Sequence, residues 1–257
     1  MPSSREIKTP AIVIRRARLK DADRVITFFT HELGKVAAVA KGVRKSSSKL
    51  AGHLEILNHT VITLARSKGM PTITGSQTIN PYLGIRESLE RTAYALYFAE
   101  LVYLFTPEEQ ANTQIFDLLT ESLADADKTD NLELLCRHFE VNLLQALGYQ
   151  PQLHICTNCS ADLQAVTNHF SLSLGGTLCP QCAMNNRVYP LSVNALKVLR
   201  FLAGNSLSAT GRLKLDPALN REIRQLLSHY LRFLLEKEIR SSCWLHQIEI
   251  TLPTELN

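Results

Sequence analysis

The pattern of apolar and polar residues changes near residue 80. Before that point, short apolar and β-branched runs alternate with polar turns about every ten residues, as expected for the strands of a small β-protein. The predicted strands cover residues 11–19, 25–29, 36–43, 53–57, 60–65 and 72–79. Five or six short strands in a segment of this length favour a closed sheet, and we predict an oligonucleotide-binding (OB) barrel at residues 1–80.

Residues 81–257 instead carry apolar residues at the spacing of amphipathic helices. Helix starts are predicted where a capping residue precedes such a run, at Thr106-Pro107-Glu108-Glu109, Asp130, Ser192 and Asp216-Pro217. The predicted fold class is therefore α+β. An N-terminal OB-fold β-barrel is followed by an α-helical domain at 81–257, into which a cysteine-rich module is inserted at 151–190.

The inserted module contains two Cys-x-x-Cys pairs. They are Cys156 with Cys159 and Cys179 with Cys182, and 19 residues separate the two pairs. Two residues between cysteines allow both thiolates of a pair to reach one metal ion, and two such pairs supply four sulfur ligands. A closed four-sulfur shell suits Zn²⁺ and leaves no open position for catalysis. The sequence therefore predicts a zinc ribbon with one structural Zn²⁺ ion.

A redox function and an iron–sulfur cluster are the alternatives for these four cysteines. The module lacks the βαβ context of thioredoxin-like redox pairs, and its spacings differ from those of cluster-binding motifs. Cys136 and Cys243 are predicted to be packed, unliganded thiols. The first ten residues contain no apolar signal segment, and no run approaches the roughly 20 apolar residues that span a bilayer. We expect a cytoplasmic protein without membrane contact.

Charge is distributed unevenly along the chain. Residues 1–80 hold 14 Lys and Arg against 5 Asp and Glu, a net charge of +9, whereas residues 81–150 hold 4 against 12, a net charge of −8. A basic segment of this kind is typical of polyanion binding, and a role in solubility alone is the competing interpretation. The candidate DNA-binding residues of the barrel are Arg15, Arg16, Arg18, Lys35, Lys41, Arg44, Lys45 and Lys49.

Proteins that bind single strands usually combine a basic groove with aromatic side chains that stack on bases. The predicted barrel offers Phe28 and Phe29, at least one of which is expected in the core. Alternation along a strand places Arg16 and Arg18 on one face and Arg15 on the other. Both nucleic-acid binding and an incidental basic surface remain open on these residues alone.

The order of parts resembles the RecO family of bacterial recombination mediators and DNA repair proteins. The resemblance covers essentially the whole chain, and the segment from Ala40 to Arg44 and the two Cys-x-x-Cys pairs carry it most specifically. It implies binding of single- and double-stranded DNA, strand annealing and a location at the nucleoid. It also implies association with RecR and assistance in loading RecA onto DNA coated with single-strand DNA-binding protein.

Two other classes of function compete with this one. An enzyme is disfavoured because the chain lacks a His-x-Glu deaminase motif, a His-Glu-x-x-His metalloprotease motif and a Gly-x-x-x-x-Gly-Lys-Ser/Thr phosphate loop. The alternative function is a zinc-ribbon scaffold that binds other proteins and has no intrinsic affinity for DNA. Charge reversal of Arg44 and Lys45 would separate these two interpretations.

Overall fold

The computed structural model describes residues 6–66, 68–184, 188–210, 213–242 and 245. The described residues form two compact units. One holds those up to Lys128 together with those from Arg240 onward, and the other holds those between Thr129 and Ile239. The first three helices after the barrel therefore pack in the same unit as the barrel. The predicted domain boundary between residues 80 and 81 divides the chain by type of secondary structure, and it stays a prediction.

The first unit is built on a closed five-stranded barrel, which confirms the predicted fold class. Its strands are β1 (Glu6–Arg18), β2 (Arg24–Thr30), β3 (Gly34–Ala40), β4 (His59–Ala65) and β5 (Thr72–Asn80), arranged in the order β1-β2-β3-β5-β4. A bulge between Val13 and Arg15 shifts the register of the long first strand against β2. Bulges bend a strand, and this one helps β1 to pair with both β2 and β4.

Alternate residues of these strands fill the barrel. The core contains Ala11, Val13, Ile26, Phe28, Val36, Ala38, Ala40, Val43, Leu54, Ile62, Leu64 and Ile73. The predicted strand at 53–57 is wrong, because this segment contains a short 3₁₀ helix, Gly52–Leu54, followed by a turn. Leu54 and Leu57 are both buried, and Leu57 has a positive φ of 69°. Leu54 thus packs in the barrel core, and the Leu57 N–H donates to the Val13 carbonyl of β1 at 2.8 Å, although the segment is not a strand.

Three helices follow the barrel in the first unit: α1 (Leu83–Glu87), α2 (Leu89–Phe105) and α3 (Thr113–Ala126). The predicted helix start at 106–109 is wrong, because Thr106 ends α2 and Asn112 caps α3 by accepting the backbone N–H of Ile115 at 3.0 Å. The intervening segment contacts β3 instead, where the Glu109 N–H donates to the Lys35 carbonyl at 2.9 Å. This long-range contact replaces the local capping box.

Gly34 permits that contact with β3. Its φ is +67°, and an added Cβ would lie 1.9 Å from the Gln110 carbonyl oxygen. A residue with a side chain would therefore be strained by its backbone conformation and would also collide with the segment after α2.

The second unit combines helices with a small sheet. Its helices are α4 (Leu132–Ala146), α5 (Pro180–Ala183), α6 (Val193–Gly204), α7 (Leu207–Thr210) and α8 (Pro217–Leu235). Its strands are β6 (Asn168–Ser171), β7 (Gly176–Leu178) and β8 (Tyr189–Leu191), in the order β7-β6-β8. α4, α6 and α8 pack against one another and bury most of their apolar residues, although Phe233, which the sequence places on the apolar face of α8, is exposed.

Helix caps in this unit are mostly those that the sequence predicts. Ser192 caps α6, and Asp216 caps α8 with Pro217 in the first turn. The α4 cap is Asn131, one residue beyond the predicted Asp130. Cys136 is fully buried, as predicted, whereas Cys243 lies outside the described residues. None of the helices in the described part of the chain has the length and apolar character needed to cross a bilayer.

His59, at the start of β4, should make the stability of the first unit sensitive to acid. Its ring lies 6.0 Å from that of Phe116, centroid to centroid, and burial lowers the pKa of His59 below its usual 6.5. The unfolded chain therefore binds a proton at His59 more readily than the folded chain does. The free energy of unfolding should fall as the pH drops below about 6.5, until the folded-state pKa is passed.

Denaturant titrations of the wild type and of His59→Gln, performed from neutral to mildly acidic pH, measure this contribution. The His59→Gln protein should lose less stability over that range than the wild type. If the free energy of unfolding falls equally with pH in the two proteins, groups other than His59 cause the acid sensitivity.

Candidate metal centre and nucleic-acid interface

The four predicted zinc ligands come together in the second unit. The Sγ atoms of Cys156, Cys159, Cys179 and Cys182 all lie within 4.8 Å of one another, and those of Cys159 and Cys179 are 3.9 Å apart. A tetrahedron of thiolates with metal–sulfur bonds of about 2.3 Å has edges of about 3.8 Å. The donor set and its spacing therefore fit a metal ion with four sulfur ligands, as the Cys-x-x-Cys spacing predicts.

Local backbone structure positions each pair of cysteines. In the first turn, the Ser160 N–H donates to the Cys156 carbonyl at 2.9 Å, and Ser160 adopts a positive φ of 59°. In the second, Cys179 precedes α5 and accepts the Cys182 N–H at its carbonyl at 3.1 Å. Both pairs thus lie on tight turns, with the strands β6 and β7 between them in sequence.

A small apolar cluster supports the four sulfurs. Cys156, Leu178 and Ala183 are buried together, and partly buried apolar residues such as Leu163 and Val188 pack against them. Because this cluster is small, its side chains bury little apolar surface, and the hydrophobic stabilisation of the module is correspondingly small. A bound metal ion would compensate for the small core.

Protonation in this cluster differs from one sulfur to another. Burial raises the pKa of Cys156, but backbone N–H groups of Cys159, Cys179 and Asn158 donate to its sulfur and lower the pKa to about 6. The Asn158 side chain lowers the pKa of Cys182, but hydrogen bonds among the thiols outweigh it and raise this pKa to about 11. Four adjacent thiolates repel one another, so full ionisation requires a cation, as expected for metal ligands.

Five basic residues lie around one end of the barrel, and we call this set the basic rim: Arg18, Arg24, Lys41, Arg44 and Lys45. Arg18 pairs with Arg24 across β1 and β2, and Arg24 pairs with Ala40, the residue before Lys41. Lys49 is also exposed and follows on the same loop. Arg24 was not among the sequence-based candidates, and only the strand register reveals its position between Arg18 and the end of β3.

Hydrogen bonds hold the loop after β3 beside the turn between β1 and β2. Gly42 N–H donates to Asp23 Oδ1 at 2.7 Å, Arg44 N–H to the Ala22 carbonyl at 3.1 Å, and Arg44 Nη1 to the Asp21 carbonyl at 2.8 Å. Within the described residues, no ion pair with a carboxylate involves any member of the rim. None of these five side chains is therefore paired directly with a carboxylate of the described residues, although Asp21 and Asp23 lie in the adjacent turn.

Three other sequence-based candidates are not part of the rim. Arg16 pairs with Ile26, which faces the core, and forms an ion pair with Glu55. Arg15 pairs with Thr27 on the opposite face of the strand, as alternation predicts, and is exposed. Lys35 is only 9% exposed. The role of these three residues in DNA binding stays a prediction.

Lys35 caps the C-terminal end of α2. Its ammonium group donates to the Tyr103 carbonyl at 2.8 Å and lies 4.8 Å from the centre of the Tyr103 ring. Burial lowers the pKa of Lys35, and the negative charge of Glu108 partly opposes this shift. A cation at the C-terminal end of a helix is favoured by the helix dipole.

Replacing Lys35 with methionine should destabilise the first unit by about 1–2 kcal/mol, because a buried carbonyl loses a charged hydrogen-bond donor. Methionine retains most of the apolar volume, so the packing loss is small. Thermal or denaturant unfolding measures the effect. An unchanged midpoint would show that this hydrogen bond does not contribute to stability.

The barrel phenylalanines are unavailable for base stacking. Phe28 and Phe29 are both fully buried, the first in the barrel core. Tyr103 is the aromatic residue near the basic side chains, and it contacts both Arg15 and Lys35. It comes from α2, 88 residues after Arg15, so no local signal in the sequence connects them.

The chain combines a closed five-stranded barrel, which has a basic rim, with helices and a four-cysteine ribbon. These parts define a class of two-part barrel proteins with a candidate metal-binding module. Family models give this class a name. The family "Recombination protein O N terminal" matches residues 2–82, and "Recombination protein O C terminal" matches residues 86–242. The chain therefore belongs to the RecO family.

Similar proteins cover nearly the whole chain. A DNA repair protein RecO of Dehalococcoides mccartyi is 42% identical over 250 residues, covering 97% of this chain and 99% of the relative. The corresponding protein of Roseiflexus sp. is 40% identical and covers 97% and 88%, and that of Bacillus pumilus is 30% identical and covers 95% and 94%. Family membership supports a role in DNA repair and recombination.

Proposed function

We propose that the protein is a DNA-binding recombination mediator without catalytic activity. In this proposal it binds single- and double-stranded DNA, anneals complementary strands and helps to load RecA onto DNA coated with single-strand DNA-binding protein. The observation that carries the proposal is the basic rim, where five cations lie close to one another without carboxylate partners among the described residues.

Phosphate neutralisation is the proposed basis of affinity. Each lysine or arginine that meets a phosphate releases condensed counterions, which favours binding irrespective of sequence. Exposed Arg18, Lys41, Arg44, Lys45 and Lys49 are the proposed contacts, together with Arg15. Arg16 and Lys35 already have partners inside the unit, so we expect them to support this surface more than to contact DNA.

Annealing follows from the same chemistry. Two single strands repel each other through their phosphates, and a cationic surface that binds both lowers this repulsion. Phe28 and Phe29 are buried, so they cannot hold bases by stacking. Contacts limited to the phosphates would leave the base edges available for pairing. The protein would therefore act by bringing strands together, without covalent chemistry.

The proposed partners follow from family membership. They are RecR, the single-strand DNA-binding protein and, indirectly, RecA. Residues 81–150 carry a net charge of −8, which disfavours contact with DNA and leaves this segment for contacts with proteins.

The proposed metal is one structural Zn²⁺ ion. Four cysteine sulfurs at tetrahedral spacing select a thiophilic ion and leave no coordination position for substrate. We assign it no catalytic residue or step.

An annealing assay with complementary labelled oligonucleotides tests the proposed activity, using the full chain without nucleotide. The protein should accelerate duplex formation several-fold at low salt, and the acceleration should decline as salt increases, because screening weakens phosphate contacts. Noncomplementary strands are the control. Strong DNA binding without acceleration would restrict the function to binding.

The second candidate function is a zinc-ribbon scaffold that binds proteins only. It is favoured by the burial of both barrel phenylalanines, which removes the stacking surface common among single-strand binders. A protein without measurable DNA affinity at low salt would favour this candidate.

A further inference from the structure

Tyr103 lies outside the barrel strands but contacts two of their cations. The Arg15 guanidinium carbon lies 4.8 Å from the centre of the Tyr103 ring, and Arg15 Nη1 donates to the Tyr103 hydroxyl oxygen. The Lys35 ammonium nitrogen is also 4.8 Å from the ring centre. One tyrosine at the end of α2 thus contacts cations of both β1 and β3.

Tyr103 contacts Arg15 but does not neutralise its charge. Within the described residues it forms no ion pair with a carboxylate, and it is exposed. The phenol oxygen occupies one donor of the guanidinium group, which has five, so most donors remain available. A fixed guanidinium plane suits bidentate recognition of phosphate.

The backbone around Tyr103 is fixed by hydrogen bonds. Lys35 donates to its backbone carbonyl at 2.8 Å, and the last turn of α2 is further fixed by the hydrogen bond from Thr106 N–H to the Val102 carbonyl at 3.1 Å. Because both its ring and its backbone are engaged, Tyr103 provides a rigid support. A mobile arginine loses more conformational entropy on binding than one that is already oriented.

We infer that Tyr103 is a positioning residue of the nucleic-acid interface, which orients the Arg15 guanidinium group for a backbone phosphate. This inference rests on the proposed DNA-binding function and adds a supporting residue of α2 behind Arg15, without a DNA contact by α2 itself. The ligand chemistry is the phosphodiester of a single-stranded DNA, and no base recognition is involved.

A double-mutant cycle on the full chain tests the inference, with fluorescence anisotropy of a labelled single-stranded oligonucleotide as the measurement. Tyr103→Leu should weaken binding about threefold, as expected when one long side chain must be immobilised on binding. In an Arg15→Ala background, the same change should have no further effect. Tyr103→Phe keeps the ring and should lose less than Tyr103→Leu.

The salt dependence distinguishes positioning from direct contact. Arg15→Ala should reduce the slope of log affinity against log salt by about 0.7, the value for one phosphate contact on a single strand. Tyr103→Leu should leave the slope unchanged, because Arg15 keeps its charge. Tyr149→Leu, at a half-exposed tyrosine of the second unit, is the matched control and should bind as the wild type does.

Each contrary result has a distinct meaning. Equal losses from Tyr103→Leu in both backgrounds would overturn positioning through Arg15 and indicate a structural effect, which thermal unfolding would also detect. Wild-type affinity in Arg15→Ala would overturn the inference and leave the proposed function intact. Absence of binding by the wild-type chain would overturn the proposed function and this inference together.

Discussion

Replacing Cys156 with serine should eliminate metal binding and unfold the ribbon of the second unit. Cys156 is fully buried and receives the Cys179 N–H at its sulfur at 3.4 Å, so it lies at the centre of the site. A serine hydroxyl is neutral at pH 7 and does not replace a thiolate ligand. Structural zinc contributes about 10–16 kcal/mol in small peptides, against a net domain stability of about 5–15 kcal/mol.

Elemental analysis and thermal unfolding measure this effect together. We expect the zinc content to fall from about one ion per chain to near zero, with a lower yield of folded protein and a broader or earlier unfolding transition. DNA affinity should decrease only to the extent that folded protein is lost, because the basic rim belongs to the first unit. The elemental analysis of the wild type also identifies the metal.

Cys136→Ala is the matched control for cysteine loss. Cys136 is fully buried in α4, and burial raises the pKa of its thiol far above the usual range, so it is not expected to bind metal. The control should keep its full metal content. A Cys156→Ser protein with stoichiometric metal and a wild-type transition would show that the ligand assignment is wrong.

Reversing the charges of Arg44 and Lys45 together should weaken DNA binding about 30-fold or more at low salt. Each substitution removes a phosphate contact and adds a repulsive carboxylate, and unfavourable charge juxtapositions cost several kcal/mol. Both side chains are exposed. Replacing Arg44 removes the hydrogen bond from its Nη1 to the Asp21 carbonyl, but the backbone N–H groups of Gly42 and Arg44 still bond to the β1–β2 turn, so the fold should tolerate the change. Arg44→Glu with Lys45→Glu is the variant.

The salt slope gives a second measure of the same variant. Loss of two phosphate contacts should reduce the slope for single strands by about 1.4. Lys197→Glu with Arg221→Glu is the control, because these exposed cations belong to the second unit and produce the same change in net charge. Equal losses in both variants would mean that total charge, not the rim, determines affinity. No loss in either would favour the scaffold function.

Local patterns predicted those parts of the fold that depend on neighbouring residues. The caps at Ser192 and Asp216 were predicted correctly, because a cap needs only an oxygen acceptor and the next helical turn. The predicted α4 cap was wrong by one residue. The two larger failures, the strand at 53–57 and the helix start at 106–109, lie where distant partners compete. Leu54 packs against the barrel core, and Glu109 bonds to Lys35 in β3.

The residues of the candidate metal centre and nucleic-acid interface show the same difference between local and long-range information. The sequence by itself predicted which four cysteines come together, since each Cys-x-x-Cys turn brings two sulfurs close over four residues. It also determined that the N-terminal segment is basic. Only the tertiary structure decided which cations are available, because burial and partners come from other strands and helices.

Lys35 and Arg44 illustrate the difference, since both are cations in predicted barrel segments. Lys35 is buried against Tyr103, whereas Arg44 is exposed beside the β1–β2 turn. The sequence determined the chemistry of each side chain, and strand register and helix packing decided its surroundings. The physical reason is that charge and ligand type belong to single residues, whereas exposure and orientation depend on contacts between residues far apart in the chain.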